Sequence, residues 1–375
     1  MRLGIFDIPY NLRYANGEQT AQGVIEWDLQ IVRWADEYGL AEAYFAEHYT
    51  IGPEPSPAPE LMIAAASQQT SQIHLGAAAH LLPYHNPISL AHRLLWLDHM
   101  TGGRYIAGFA PGSFPTDAQL FDTGGRNADM MKEALDIVEA VWTREPPFRL
   151  EGEFWTVDMP AFTDLWKGPH LKAFRAEAPP VVITGMQGNS PSFKLAGARG
   201  FHPMSQQVAT PVLREQWETY TTAATEAGHT PRRSDWRVIR DVVVADSDEQ
   251  ALELATSGER ARTWGEHILP TFKQVRDRGS SKYSLAPLLT NGAIEPDDLD
   301  VEWVAENLWI VGSPDTVVEK LTRLHEETGG FGVLISFVFD SSEDPEPFRR
   351  NLELIGREVA PRVAALDPDS VPTAD

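Results

Sequence analysis

Short apolar runs alternate with longer stretches whose apolar residues fall three and four apart, and the alternation holds for most of the 375 residues. Leu3–Ile8 is the first run. A helical segment near Val24–Tyr38 follows, with Ile25, Leu29, Val32 and Ala35 spaced for one face and Gly39 as its stop. Strands at Glu42–Ala46, Ile73–Ala79 and Tyr105–Ala110 come next, each ahead of a helix at Ala58–Gln69, Pro87–Met100 and Ala128–Thr143. Four βα units in succession predict a parallel sheet, because parallel strands need crossover helices. The second half is less regular. It offers Val181–Thr184 with Ser190–Gly197, Phe201–Met204 with Pro211–Ala227, Arg237–Ala245 with Asp248–Arg262, and Val333–Phe339 with Pro347–Val359. Eight units predict an α/β fold, a closed (β/α)8 TIM barrel over residues 1–365. The surplus length lies in insertions at about 151–180 and 264–303, which are expected to be lids or covers, and 366–375 reads as a disordered tail.

Charge narrows the partners. Lys+Arg total 31 against 54 Asp+Glu, a formal net charge of −23. Such a surface repels phosphate backbones and anionic lipid, so neither nucleic acid nor a membrane is an expected partner. An anionic group that binds here needs a local device. The chain has no Cys, which excludes disulfides, thiolate metal sites and a cysteine nucleophile and fits a reducing compartment. Residues Met1–Pro9 lack the apolar core of a signal peptide, and no apolar run approaches the roughly 20 residues of a membrane span. The expected location is cytoplasmic.

In a barrel, chemistry sits at the carboxyl ends of the strands. The second strand ends in Glu47-His48, and the third in Gly76-Ala77-Ala78-Ala79-His80. A patch of small residues in a strand invites close approach, either by a planar cofactor or by a neighbouring Trp or Phe. The fourth strand ends in Ala110-Pro111-Gly112-Ser113, and the fifth in Gly185-Met186-Gln187-Gly188-Asn189-Ser190-Pro191. Ser190-Pro191 reads as an N-cap and first helical position. A glycine-bearing loop entering a capped helix is either an anion site or an ordinary turn. His48 is a candidate titrating group near neutral pH, set against the structural role that most histidines have. His80 and His85 raise a metal-dependent barrel hydrolase as a competitor, although only part of that ligand set exists and no metal site is assigned.

These strand ends resemble the bacterial luciferase-like flavin monooxygenases. Phe45-Ala46-Glu47-His48-Tyr49 is similar to the family's Glu-His-His segment, and residues 75–83 with Pro87 resemble the stretch that carries its non-proline cis peptide. Gly102-Gly103-Arg104-Tyr105 and Val311-Gly312-Ser313-Pro314 match further family positions, in order, between residue 1 and about 362. The diketocamphane and limonene monooxygenase-like members are nearest in pattern, sharing the Ala-His-Leu-Leu-Pro run and Glu226–Pro231.

The resemblance implies a two-component enzyme. It would bind reduced FMN delivered by a separate flavin reductase, react it with O2 to a flavin 4a-peroxide, and oxygenate a small hydrophobic ketone or alkene by Baeyer–Villiger insertion, epoxidation or hydroxylation. His48 would then be catalytic. Ala78 and Ala79 would form the bulge under the ring, Ala110 would adjoin it, and Gly185, Met186, Gln187, Gly188, Asn189 and Ser190 would hold the phosphate. Phe6, Tyr10, Phe114, Trp155 and Trp166 are candidate lining for an apolar substrate pocket. The family's two phosphate arginines are replaced by Pro111 and Met130, leaving Arg126 as the nearest substitute in sequence. The family also implies a homodimer. The alternative of the same fold is a deazaflavin-dependent hydride-transfer oxidoreductase.

Overall fold

Eight parallel strands close into a ring. A computed structural model describes residues 1–165, 171–175, 177–274, 284–366 and 368–369. The strands are β1 (Arg2–Tyr10), β2 (Glu42–Phe45), β3 (His74–Ala77), β4 (Tyr105–Ala110), β5 (Val181–Gly185), β6 (His202–Ser205), β7 (Arg237–Ile239) and β8 (Val333–Phe339). Each pairs with the next, and β8 returns to β1 with Arg2 opposite Val333 and Phe6 opposite Phe337. The pairing of Leu75 with Tyr105 joins β3 to β4, so the ring has no open edge. This is the (β/α)8 barrel that the alternating pattern predicts.

Alternate strand residues serve two cores. Phe6, Tyr44, Ile106, Val182, Met204, Ile239 and Ile335 fill the barrel, while Ile5, Phe45, Leu75, Phe109, Ile183, Val238 and Leu334 pack outward against the helices. At the amino end the filling is polar. Glu42 on β2 reaches across to Arg237 on β7 at 2.9 Å, and the Tyr44 hydroxyl donates to the same carboxylate at 2.5 Å.

Two local readings change. Helix Ala21–Glu37 buries Val24, Trp27, Asp28, Ile31, Val32 and Ala35, whereas Ile25 is exposed. The buried Asp28 interrupts the apolar stripe and shifts its apparent phase. The second change concerns the seventh unit. The chain after β7 runs on through Val242–Val244, leaves the ring, and comes back at Ile310–Gly312, which pairs in parallel with Val242–Val244. The helix packed beside Thr210–Glu226 in the outer ring is Pro314–Thr328, not Asp248–Arg262, which belongs to the excursion. Ser313-Pro314 starts it with the same signal as Ser190-Pro191. Near the other insertion, Phe148–Glu151 and Thr156–Met159 form an antiparallel hairpin. At the end of the chain, Asp369 accepts from the Arg233 amide at 2.9 Å; residues 367 and 370–375 lie outside the described residues.

Asp28 sits with Asp7 and Asp340 between β1 and its helix. Burial raises the pKa of Asp7 to about 7, and burial together with those two neighbours raises that of Asp28. The folded state therefore holds protons that the unfolded chain releases, so stability is full below about pH 4 and falls as pH rises toward 7. Asp28→Asn removes part of that loss. Its melting temperature at pH 8 is expected to exceed the parent's by about 2–4 °C, with the gain shrinking at pH 5, as differential scanning calorimetry would measure.

Candidate active site

All eight strands run the same way, so their carboxyl ends share one mouth. At the end of β2 the chain turns back on itself: the His48 amide donates to Ser56 O at 2.8 Å and the Ser56 hydroxyl donates to Ala46 O at 2.7 Å. The turn returns Glu54 to His48, with Glu54 Oε2 3.1 Å from His48 Nε2. The other carboxylate oxygen of Glu54 lies 2.7 Å from Nε2 of His267, a residue of the excursion. Phe114 meets the His48 ring edge-on at 5.3 Å between centroids. His48 Nδ1 is buried without a hydrogen-bond partner. The His267 ring in turn stands edge-on to Tyr10 at 6.1 Å. Burial, with Glu54 and Asp241 nearby, pushes the Tyr10 pKa well up, so its hydroxyl stays protonated at neutral pH.

At the end of the neighbouring strand β3, the Ala78–Ala79 peptide is cis. The Ala78 amide donates to Phe45 O at 2.8 Å, fixing this bulge against β2. The buried Glu47 carboxylate fixes its exit. It accepts from the Leu81 amide at 3.0 Å and the Tyr49 hydroxyl at 2.7 Å, and it lies 2.9 Å from His85 Nε2. Gly108 on β4 makes room for the bulge, since a Cβ there would fall 1.7 Å from Ala77 O. Ala110 ends β4 opposite Leu81. His80 turns away from the mouth: it is fully buried, its Nε2 is 3.0 Å from the Tyr105 hydroxyl, and burial holds its pKa well below the usual histidine range. Among the described residues no group of three or more His, Cys, Asp or Glu is arranged to hold a metal ion.

At the end of β5, Ser190 caps helix Pro191–Arg199, its hydroxyl accepting from the Ser192 amide at 3.2 Å. Helix Thr210–Glu226 takes the loop's carbonyls. Gln216 donates to Gln187 O at 3.3 Å and Thr219 donates to Gly188 O at 3.1 Å. In a trans peptide the N–H opposes its C=O, so the amides of Gly188 and Asn189 turn away from that helix. The two glycines also meet a packing need. A Cβ at Gly185 would lie 2.2 Å from the Phe193 ring, and one at Gly188 would lie 1.9 Å from Glu215 Oε2. Their bare faces admit neighbouring side chains. Met186 packs on the outer core, while Gln187 and Asn189 are exposed. Arg126 is engaged elsewhere, bonded to Glu153 at 2.6 Å and lying over the Phe154 ring.

The structure gathers part of the expected pocket. Tyr10 and Phe114 adjoin the Glu54–His48 cluster. Phe6 packs on Phe337 in the closed interior below it. Trp155 is not brought to the mouth; it packs on the core outside the barrel, its amide held by Glu133 at 2.7 Å. Trp166 lies outside the described residues. Glu54 and His267 have no signal in the pattern, being 213 residues apart.

Known proteins resemble this chain over nearly its whole length. The sequence profile of the luciferase-like monooxygenases matches residues 1–330. A curated relative, 2,5-diketocamphane 1,2-monooxygenase 1 of Pseudomonas putida, is 35% identical over 97% of this chain and 99% of its own. Limonene 1,2-monooxygenase of Rhodococcus erythropolis is 30% identical over 96% of this chain and 85% of its own. Among solved structures, the oxygenating constituent of 3,6-diketocamphane monooxygenase from P. putida, a type II Baeyer–Villiger monooxygenase in complex with FMN, superposes with a TM-score of 0.87 at 35% identity, covering 96% of this chain and 98% of that one. With its closed ring of strands and a match in sequence over nearly its whole length, the chain belongs to the luciferase-like monooxygenase family.

Proposed function

We propose that this luciferase-like monooxygenase is the oxygenase component of a two-component system, taking reduced FMN from a separate reductase and placing one atom of O2 in a hydrophobic ketone or alkene. The observation that carries the assignment is His48, whose buried Nδ1 has no hydrogen-bond partner and which follows β2, the strand paired with the β3 end that leads into Ala78–Ala79. The residues present fit FMN. Ala78, Ala79 and Ala110 offer a face without bulky side chains, and the amides of Gly188 and Asn189 with the capped helix start offer an anion site. Bound reduced FMN supplies the two electrons that divide O2 between product and water.

The protein's own groups do the rest. His48 Nδ1 exchanges a proton with the oxygen under transfer, a role suited to imidazole near neutral pH. Tyr10 and Phe114 exclude water from the mouth, and the Tyr10 hydroxyl is a donor for a substrate carbonyl. With no arginine at the expected positions, the phosphate is held by backbone amides. The camphane and limonene named in the relatives support a substrate of terpenoid size. We place the enzyme in the cytoplasm with its reductase; among the described residues no helix is long and apolar enough to cross a membrane. Leu61 and Trp96, 69% and 61% exposed on helices Pro59–Ser67 and Pro87–Met100, form the face we assign to a second copy of the chain.

Photoreduced FMN added anaerobically, then 18O2 with a camphane diketone or limonene, tests the assignment. One labelled oxygen is expected in the product, by mass spectrometry, from a preparation that sediments as a dimer. Return of all flavin electrons as hydrogen peroxide with both substrates, or binding of reduced deazaflavin in place of FMN, would overturn it.

A further inference from the structure

We infer that Glu54 and His267 are positioning residues for His48, a shared carboxylate fixing the imidazole so that Nδ1 carries the lone pair. The inference deepens the function proposed above and rests on it for its catalytic meaning, though not for its geometry. An ionised carboxylate only accepts hydrogen bonds, so a ring nitrogen placed 3.1 Å from Glu54 Oε2 must carry hydrogen; a lone pair there would face an oxygen of like charge. The neutral His48 ring is thereby set as its Nε2–H tautomer. The same reasoning sets His267, 2.7 Å from Oε1. Two N–H groups and two oxygens make a closed set, and the carboxylate at its centre is buried: the Glu54 side chain is 6% exposed, the rings 16% and 17%. A buried carboxylate needs such donors, because one left without them bears its full desolvation cost.

The division of labour follows from which elements supply the parts. Glu54 rides on the turn that His48 itself begins, anchored by the Ser56 contacts to β2, so the pair is local. His267 comes from the excursion between β7 and β8, in the helical turn Trp264–Ile268, and its ring also meets Tyr10. Through Glu54 the covering segment thus helps to hold the tautomer of His48. His48 can accept a proton at Nδ1 and return it from the same atom while Nε2 stays bound, which keeps the ring from flipping between turnovers.

Ring-nitrogen NMR of 15N-histidine-labelled protein, without flavin, reads the tautomer directly. His48 and His267, assigned through His48→Gln and His267→Gln, are expected to show protonated Nε2 and unprotonated Nδ1. In Glu54→Gln, whose amide offers one accepting oxygen and one donating NH2, at least one of the two rings is expected to lose its Nε2–H pattern. An Nδ1–H pattern for His48 in the parent, or unchanged patterns of both rings in E54Q, would overturn the inference. In turnover, E54Q is expected to lower kcat by about 100-fold with substrate KM nearly constant. His267→Gln should give a smaller loss in the same direction, and the double variant should be no slower than E54Q alone, since the residues act as a unit. Additive losses would also overturn it. The two readings fail separately. A parent protein with the expected ring pattern but no oxygenated product sinks the function, whereas labelled product from an enzyme whose His48 bears hydrogen on Nδ1 sinks the positioning role.

Discussion

Replacing His48 with Ala is expected to lower kcat for substrate oxygenation by about 10²- to 10⁴-fold, while affinity for reduced FMN changes by less than about threefold. The size of the loss follows from the role of Nδ1 as the buried, unpartnered atom at the mouth that moves a proton. Affinity is spared because the ring is not part of the anion site at Ser190 or of the small-residue face at Ala78–Ala79. The electrons that no longer reach substrate must leave as hydrogen peroxide, so peroxide per reduced flavin is expected to rise toward one. Stopped-flow turnover with a peroxide assay measures both quantities. A His48→Ala enzyme that retains parental kcat and coupling would remove the residue from the mechanism.

The second large effect lies at the other end of the barrel. Arg237→Met is expected to cost about 3 kcal/mol in urea unfolding, because it leaves the buried Glu42 carboxylate only the partly exposed Arg2, 3.4 Å away, and the Tyr44 hydroxyl as partners. Arg237 donates to both oxygens of Glu42, at 2.9 and 3.0 Å, and to Tyr44 at 3.1 Å, and it is 2.9 Å from His202 Nδ1. Despite burial, the guanidinium and its neighbours hold the Glu42 pKa below the usual carboxylate value, and Glu42 holds that of Arg237 up. Replacing both residues by Leu removes the desolvation cost together with the attraction, so Glu42→Leu/Arg237→Leu should be markedly more stable than Arg237→Met. Equal stability of the single and double variants would show that the pair contributes packing alone.

Much of this was legible in the chain, and the gaps have physical causes. The eight strands carry continuous or alternating apolar runs, because one side faces the barrel filling and the other the helices. Ile310–Gly312 is not legible as a strand, because three residues have no periodicity to read; the Ser313-Pro314 helix start beside it is the available clue. Asp28 displaced the face of its helix because a polar residue was buried in the stripe. At the site, His48 and the small residues at Ala78–Ala79 are legible from their places at strand ends, the bulge itself only through the family resemblance. Glu54 and His267 are not, since their meeting depends on how a turn and a distant segment close over the mouth. Gly185 and Gly188 are legible as positions where the backbone must stay bare, but the sequence does not show that Phe193 and Glu215 pack against them. Trp155 was placed by its aromatic character alone, and the hairpin carries it to the outer core.

The parallel pairing of Val242–Val244 with Ile310–Gly312 has a consequence for how such an enzyme diversifies. It holds the start and the end of the excursion side by side, about 4.8 Å apart, so the chain between them can be lengthened, trimmed or exchanged without pulling on β7 or β8. Substrate preference is thus free to drift on a replaceable cassette while the barrel is inherited intact. The condition on any new cassette is narrow: it must bring a hydrogen-bond donor to the second oxygen of Glu54.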